Sequence, residues 1–335
     1  MIPWRAALKL VFLIAAFSAD AGATDAAAPA RPPSTENNVA AVAAISRQLA
    51  VFSHDLEQLR LFMGAAQVSD LDIGIRSDLP RDLYFQTLTL WQKTDRLMFE
   101  VVRAHAPSPS APVGDIDMQD ILPILQQAHR LLRQVMSELR LADPTNAAST
   151  PLATDLFTAI LNLNRQLDSM LERHFAATDV YTEITLAVGY AARLLARYSD
   201  AIRIPLEPPF EPNKLPSDVY RRLIACLQSI TRIFQALELP VLTIDASQTD
   251  TAHLTPGDVF VVASLIVSQL DFLYKHQGLA KPPPQSIYPG LKFPAHSDQR
   301  AGILQAQLEQ LECYASAHCS TPSGNLRHES ITPEK

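Results

Sequence analysis

Glycine is scarce in this chain, 10 residues in 335, and that scarcity excludes a group of chemistries. No GxGxxG or GxxxxGK[ST] stretch is present to cradle a phosphate on backbone amides. GxSxG, SxxK, HExxH, CxxC and CxxCH are missing too, as are the Glu-x-x-His pairs of di-iron bundles. The nine histidines are scattered. One compact acid–base group, His54-Asp55-Glu57, falls on a charged helical face and reads as solvated surface, because charged residues are rarely buried unpaired. These absences argue against an enzyme, and no cofactor or metal is expected.

An excess of positive charge is lacking as well. Lys and Arg number 28 against 35 Asp and Glu, for a net charge of −7. Such a chain lacks the basic footprint of nucleic-acid binding and has no polybasic helix for anionic membranes. The pairs Arg130/Arg133, Arg193/Arg197 and Arg221/Arg222 read as ordinary helix surface.

Three cysteines are too few for a disulfide scaffold. Cys226 stands in an apolar helical run with Leu223, Ile224, Leu227 and Ile230, and reads as a small buried residue. Cys313 and Cys319 are a candidate disulfide. Within one helix their separation means about 9 Å of rise, too far for a bond, so a bridge requires the helix to end between them.

What the chain does have begins with an N-terminal leader. Arg5 and Lys9 precede an apolar run, Leu10 to Phe17, that is short for a bilayer span. Small residues then permit cleavage after Ala21 or Ala23. Residues 1–23 read as a secretory signal peptide and 24–35 as a flexible leader rich in Ala, Pro and Thr. The later segment with the most apolar residues, DVFVVASLIVSQLDFLY, is interrupted by Asp258, Gln269 and Asp271, so no stable membrane insertion is expected after signal cleavage. The expected location is the periplasm or the secreted fraction.

Proline is plentiful, 25 residues, and it avoids the long segments of helical periodicity. The spacing predicts an all-α fold, an array or bundle of about eight long helices over roughly 36–63, 80–105, 117–141, 151–175, 178–200, 216–238, 256–277 and 298–317. They make a helical domain over 36–318, with candidate sub-boundaries near 142–150 or 203–215 and a disordered tail over 319–335. The alternation in Val68 to Ile75 suggests an extended connector. The proline-rich linkers are expected to cross helix ends or rim a groove, and the short turn after residue 175 predicts an antiparallel hairpin of its two flanking helices.

One pattern recurs. LPSDVY (Leu215 to Tyr220) is nearly repeated as LTPGDVF (Leu254 to Phe260) and LPRDLYF (Leu79 to Phe85), with looser copies ATDLF and ATDVY. Proline suits the first helical position, which places a carboxylate at the third, beside the unpaired amides of the helix start. Asp82, Asp155, Asp179, Asp218 and Asp258 are therefore expected to start helices, and Thr255 adds a capping hydroxyl. Their spacing suggests an internally repeated helical unit. A sharper alternative puts the hydroxyls of Tyr84, Tyr181 and Tyr220 in a shared groove.

The functional expectation is an exported, non-enzymatic helical scaffold or adaptor that binds an unidentified periplasmic or envelope protein. The alternative is a small-molecule carrier or sensor with an apolar site in its core. Tyr84, Trp91, Tyr181, Tyr190 and Tyr220 are the candidate groove or core-lining residues, with Phe99 a further lining candidate for a carrier.

Overall fold

Prolines open four of the helices. The computed structural model describes residues 35–68, 72–110, 112, 114–141, 155–279, 281–284 and 289–316, and these form an all-α fold. The signal peptide with its cleavage points, the leader to residue 34, the tail from 319 and the candidate boundary at 142–150 lie outside the described residues. The helices are α1 (Thr35–Met63), α2 (Pro80–Val102), α3 (Ile121–Glu138), α4 (Leu156–Met170), α5 (Ala177–Leu195), α6 (Pro216–Ala236), α7 (Pro256–His276) and α8 (Pro294–Ala315). The connector that was expected to be extended carries a two-residue strand, β1 (Ile75–Arg76), paired antiparallel with β2 (Thr243–Ile244).

Pro80, Pro216, Pro256 and Pro294 all stand in the first turn of their helices. At the third position Asp179, Asp218 and Asp258 each accept the N–H of the residue that caps the helix, all at 2.8 Å. Thr255 Oγ1 accepts the Asp258 N–H in return, at 3.2 Å, closing a full capping box. The last helix starts at 294 rather than 298, because there His296 takes the carboxylate's place and its Nδ1 accepts the Phe293 N–H at 3.1 Å. Asp155 departs from the pattern. It is the N-cap itself, accepting from the N–H groups of Phe157 and Thr158, so its helix begins at 156.

The second four helices run parallel. Tyr190 of α5 meets Asp271 of α7, and Arg197 meets Gln277 further along. Ser297 of α8 bonds to Ala177 of α5, and Gln307 to Val188. Arg222 of α6 pairs with Asp298 of α8, and Arg232 with Glu312. The first residues of the four helices, Ala177, Pro216, Pro256 and Pro294, therefore surround one small cleft at the same end of the bundle. Four helix dipoles point their positive ends there, which is the physical reason for a carboxylate at three of the four starts. Parallel neighbours also explain the long linkers. A 21-residue helix such as α6 is about 32 Å long, and the chain must travel that length back before the next helix begins. The linker over 196–215 does so along α8, where Gln310 bonds the N–H and C=O of Ile202 and Gln299 the C=O of Pro208. The expectation was that it crosses helix ends or rims a groove; it is fastened along the side of α8.

The first four helices repeat the scheme. α1 packs on α3 and α4, and α2 packs on α3 and α4, just as α5 packs on α7 and α8, and α6 on α7 and α8. Gln48 and Asp55 of α1 meet His129 and Arg133 of α3 in parallel order. This overturns the reading of Asp55 as solvated surface. On a helix it falls with Phe52, Leu56 and Leu59 on the inward stripe, and it is fully buried. Burial pushes its carboxyl up, but the hydrogen bond from His129 and the charge of Arg133 outweigh that and hold it below the ordinary value.

The two four-helix units meet head to tail through α2 and α7. Asp82 of α2 faces Ser268 and Gln269 of α7, while Lys93, three turns on, lies near the start of α7. The expected α4–α5 hairpin reverses direction without packing its helices together. α4 packs on α1, α2 and α7, whereas α5 packs on α7 and α8, so the turn 171–176 joins the two units. α7 is long and apolar enough to cross a membrane by length and composition, despite Asp258, Gln269 and Asp271, and 94% of the qualifying window is buried in the fold.

Candidate functional site

Along the seam between the two units, α2 presents Asp82, Gln86, Thr89 and Lys93, spaced four, three and four residues apart on one stripe and all buried. Asp82 accepts from Ser77 Oγ at 2.6 Å, Ser268 Oγ at 2.9 Å and Gln269 Nε2. It therefore ties two helices together instead of satisfying the start of its own, and burial pushes its carboxyl up. Its neighbour Arg81 lies over the rings of Phe272 and Phe234, 4.2 and 5.3 Å from their centres, and donates to Pro240 O and Gln269 Oε1.

At the far end of the stripe Lys93 donates to Asn164 O at 3.0 Å and faces Asp168 Oδ1 at 3.8 Å. Burial pushes its ammonium down, against the pull of Asp168 and Asp258. Gly257, second residue of α7, is required here: a Cβ on it would collide with the Asp168 carboxylate. Arg165 completes the cluster, with Nε 3.6 Å from Asp258 Oδ1. The enclosed space among these residues is about 20 Å³, room for a single water.

Just outward of Lys93 the seam opens into a groove of about 1040 Å³. One wall is the C-terminal half of α2, with Gln92, Arg96, Phe99 and Glu100, followed by Arg103 and His105. The α4–α5 turn supplies Glu172, Arg173 and Phe175, and the first turns of α5 supply Asp179, Thr182, Glu183 and Leu186. Phe260 of α7 and Leu291 complete the apolar lining.

The groove is built on fixed parts. Glu100 accepts the N–H groups of Glu172 and Arg173 at 2.8 and 2.9 Å, which clamps the turn to α2. Arg96 pairs with Asp179 at 2.8 Å and lies 4.1 Å from the centre of the Phe175 ring. The same ring lies 4.9 Å from buried Lys93 Nζ, measured to its centre, and meets Phe260 edge-on at 4.7 Å. After α2, Arg103 adopts the left-handed conformation (φ 62°) and the chain turns back. Asp95 holds that turn through the Ala106 N–H and His105 Nδ1, and His105 stacks on Phe99 at 4.3 Å.

Glu183 is different. It is part-buried, and among the described residues it has no hydrogen bond or ion pair. Desolvation alone pushes its carboxyl up to about 7. Arg103 and Arg173 also have no ion pair among the described residues, but both stand exposed to solvent.

Of the residues singled out from sequence, Tyr84, Trp91, Tyr190 and Tyr220 are core residues. Tyr190 donates to Asp271 at 2.9 Å and Tyr220 to Ile73 O at 2.8 Å. Tyr181 lies under Lys292 and Arg300. The structure brings none of these five into the groove, and the three hydroxyls of the shared-groove alternative are dispersed. Phe99 does line it, as does Asp179. Cys226 is buried and free, and burial pushes its thiol up to about 12. Cys313 is disulfide-bonded, and Cys319 lies outside the described residues. Among the described residues no group of three or more His, Cys, Asp or Glu side chains is placed to hold a metal.

Sequence reasoning missed Lys93, Asp168, Phe175, Glu183 and Gly257. Two signals were available: the polar stripe at heptad-like spacing along α2, and a glycine directly after a helix-opening proline in a glycine-poor chain.

The fold and groove define the class: an all-helical protein of two four-helix units with an open groove at their seam. The chain matches no family model, no curated protein and no solved structure.

Proposed function

We propose that this is an exported, non-enzymatic binding protein, a scaffold or adaptor that takes a segment of an envelope protein partner into the groove between its two units. The observation that carries the reading is the groove itself. It is large and open, its walls are fixed by Arg96–Asp179 and by the Glu100 clamp, and it mixes aromatic surface with charged groups, of which Glu183, Arg103 and Arg173 have no ion pair among the described residues. The alternative, a carrier with an apolar site in its core, would need a closed apolar cavity. The space beside Lys93 is about 20 Å³, room for no more than a water, so it supports that alternative poorly. The export reading rests on the leader, with Arg5, Lys9 and the run Leu10 to Phe17.

The two units are best understood as copies of one four-helix ancestor. They share a packing scheme, and the openings Leu79-Pro80-Arg81-Asp82 and Leu215-Pro216-Ser217-Asp218 stand at corresponding helices, α2 and α6. Duplication followed by head-to-tail packing creates a seam, and seams between units are where binding sites collect.

The groove reading is tested by co-purification from the exported fraction. Phe99→Asp and Arg103→Glu alter exposed groove residues and leave the core intact. Loss of the partner from both variants, with retention by Ile204→Asp on the distant linker, supports it. Equal partner recovery from all three removes the groove from the interaction.

A further inference from the structure

The acidic side chains lining the groove are not equivalent. Asp179 is held by Arg96 and the Ala176 N–H, Glu100 by two backbone N–H groups, and Glu172 is exposed to solvent. Glu183 alone among them is part-buried and, among the described residues, has no hydrogen bond or ion pair; Leu186, Phe260 and Leu291 line the same groove. A desolvated carboxylate without a partner is costly, and a cation brought within reach removes that cost.

We propose, resting on the groove reading above, that the bound segment carries a Lys or Arg side chain whose charged end pairs with Glu183 while its methylene stem lies along Leu186 and Phe260. The side-chain type follows from the lining. An apolar approach followed by a lone carboxylate suits a long aliphatic stem ending in charge. The direction of the segment follows from two cationic residues elsewhere in the lining, Arg103 after α2 and Arg173 in the α4–α5 turn. Among the described residues neither has an ion pair, and they disfavour a second cation beside them and favour an acidic or C-terminal group. The raised carboxyl of Glu183 is the free-state signature of this arrangement, and pairing with the guest's cation brings it back toward the ordinary value.

The test is selection of random peptides displayed on phage against the full mature protein and against Glu183→Gln, whose shape is nearly unchanged. The expected result is a wild-type consensus with one Lys or Arg flanked by apolar residues. Glu183→Gln should keep the apolar preference and lose the basic one, and synthetic consensus peptides should bind it at least about tenfold more weakly. Apolar peptides selected without a basic residue would overturn the role of Glu183 and leave the groove reading standing. No peptide selected by either protein would overturn both. Cadaverine is the small-amine probe: if it stabilises the wild type but not Glu183→Gln while no peptide is selected, the cation site belongs to a small amine and not to a protein segment.

Discussion

Lys93 and Asp168 face each other at 3.8 Å between α2 and α4, both shut away from solvent. Ion pairs in such a place contribute little net stability when intact, but breaking one leaves a charge buried without compensation. Lys93→Ala should therefore destabilise the fold by ~3–5 kcal/mol, read from urea unfolding. The Lys93→Ala/Asp168→Ala double variant should lose clearly less than the sum of the two single losses.

Gly257 gives a sharper result because the sign changes with background. In the wild type Gly257→Ala drives a methyl into the Asp168 carboxylate and should cost ~1–3 kcal/mol. In Asp168→Ala the obstacle is gone, and the same substitution should become neutral or stabilise by up to about 1 kcal/mol, since alanine is the better helix former. A cost that persists in both backgrounds would mean that the close approach is not what requires glycine.

Two aspartates in the same sequence pattern should behave differently. Asp218 is a part-buried helix starter paired with Arg221, so Asp218→Ala should cost ~0.5–2 kcal/mol. Asp82 accepts three side-chain donors in the seam. Asp82→Ala strands those donors, at ~1–3 kcal/mol for each group left buried and unsatisfied, and should cost several times more. Burial favours the protonated carboxyl, so Asp82→Asn should be much milder than Asp82→Ala. Chemical denaturation of the three variants decides it.

Glu183 predicts a pH dependence with an unusual sign. Its carboxyl rises from the ordinary 4.5 to about 7 on folding, so between those values the native state holds a proton that the unfolded chain has released. Its contribution to stability is fully present below pH 4.5, falls as pH rises to 7, and is flat above. Relative to wild type, Glu183→Gln should be about equal at pH 4 and more stable at pH 8, by about 3 kcal/mol at most. Equal stability difference at both pH values would contradict the desolvation of this group.

Much of the helix scaffold was legible because it is written locally. Proline at the first position and a hydrogen-bonding residue at the third open α6 and α7 where the pattern puts them. α8 was misplaced because His296 does the work of the carboxylate. The parallel arrangement was not legible from any one helix, although linkers too long for antiparallel turns carried its trace. The groove was less visible still. Glu183 is one charged residue beside Ile184 on a mostly apolar helix, and Phe175 and Glu100 come together only once the α4–α5 turn is clamped to α2. Tyrosines drew attention by recurring, yet Tyr84 and Tyr220 are core residues and Tyr181 lies under Lys292 and Arg300.

The most direct test of the groove as the binding site is photo-crosslinking in the exported fraction of living cells. A benzoylphenylalanine placed at Phe99 or Gln92 should give one discrete crosslinked species, and the same probe at exposed Arg47 of α1 should give none. Mass spectrometry should map the crosslink to a partner segment with a Lys or Arg within a few residues of the attachment point. Crosslinks of equal yield from all three positions, or from Arg47 alone, would contradict the groove as the site of binding.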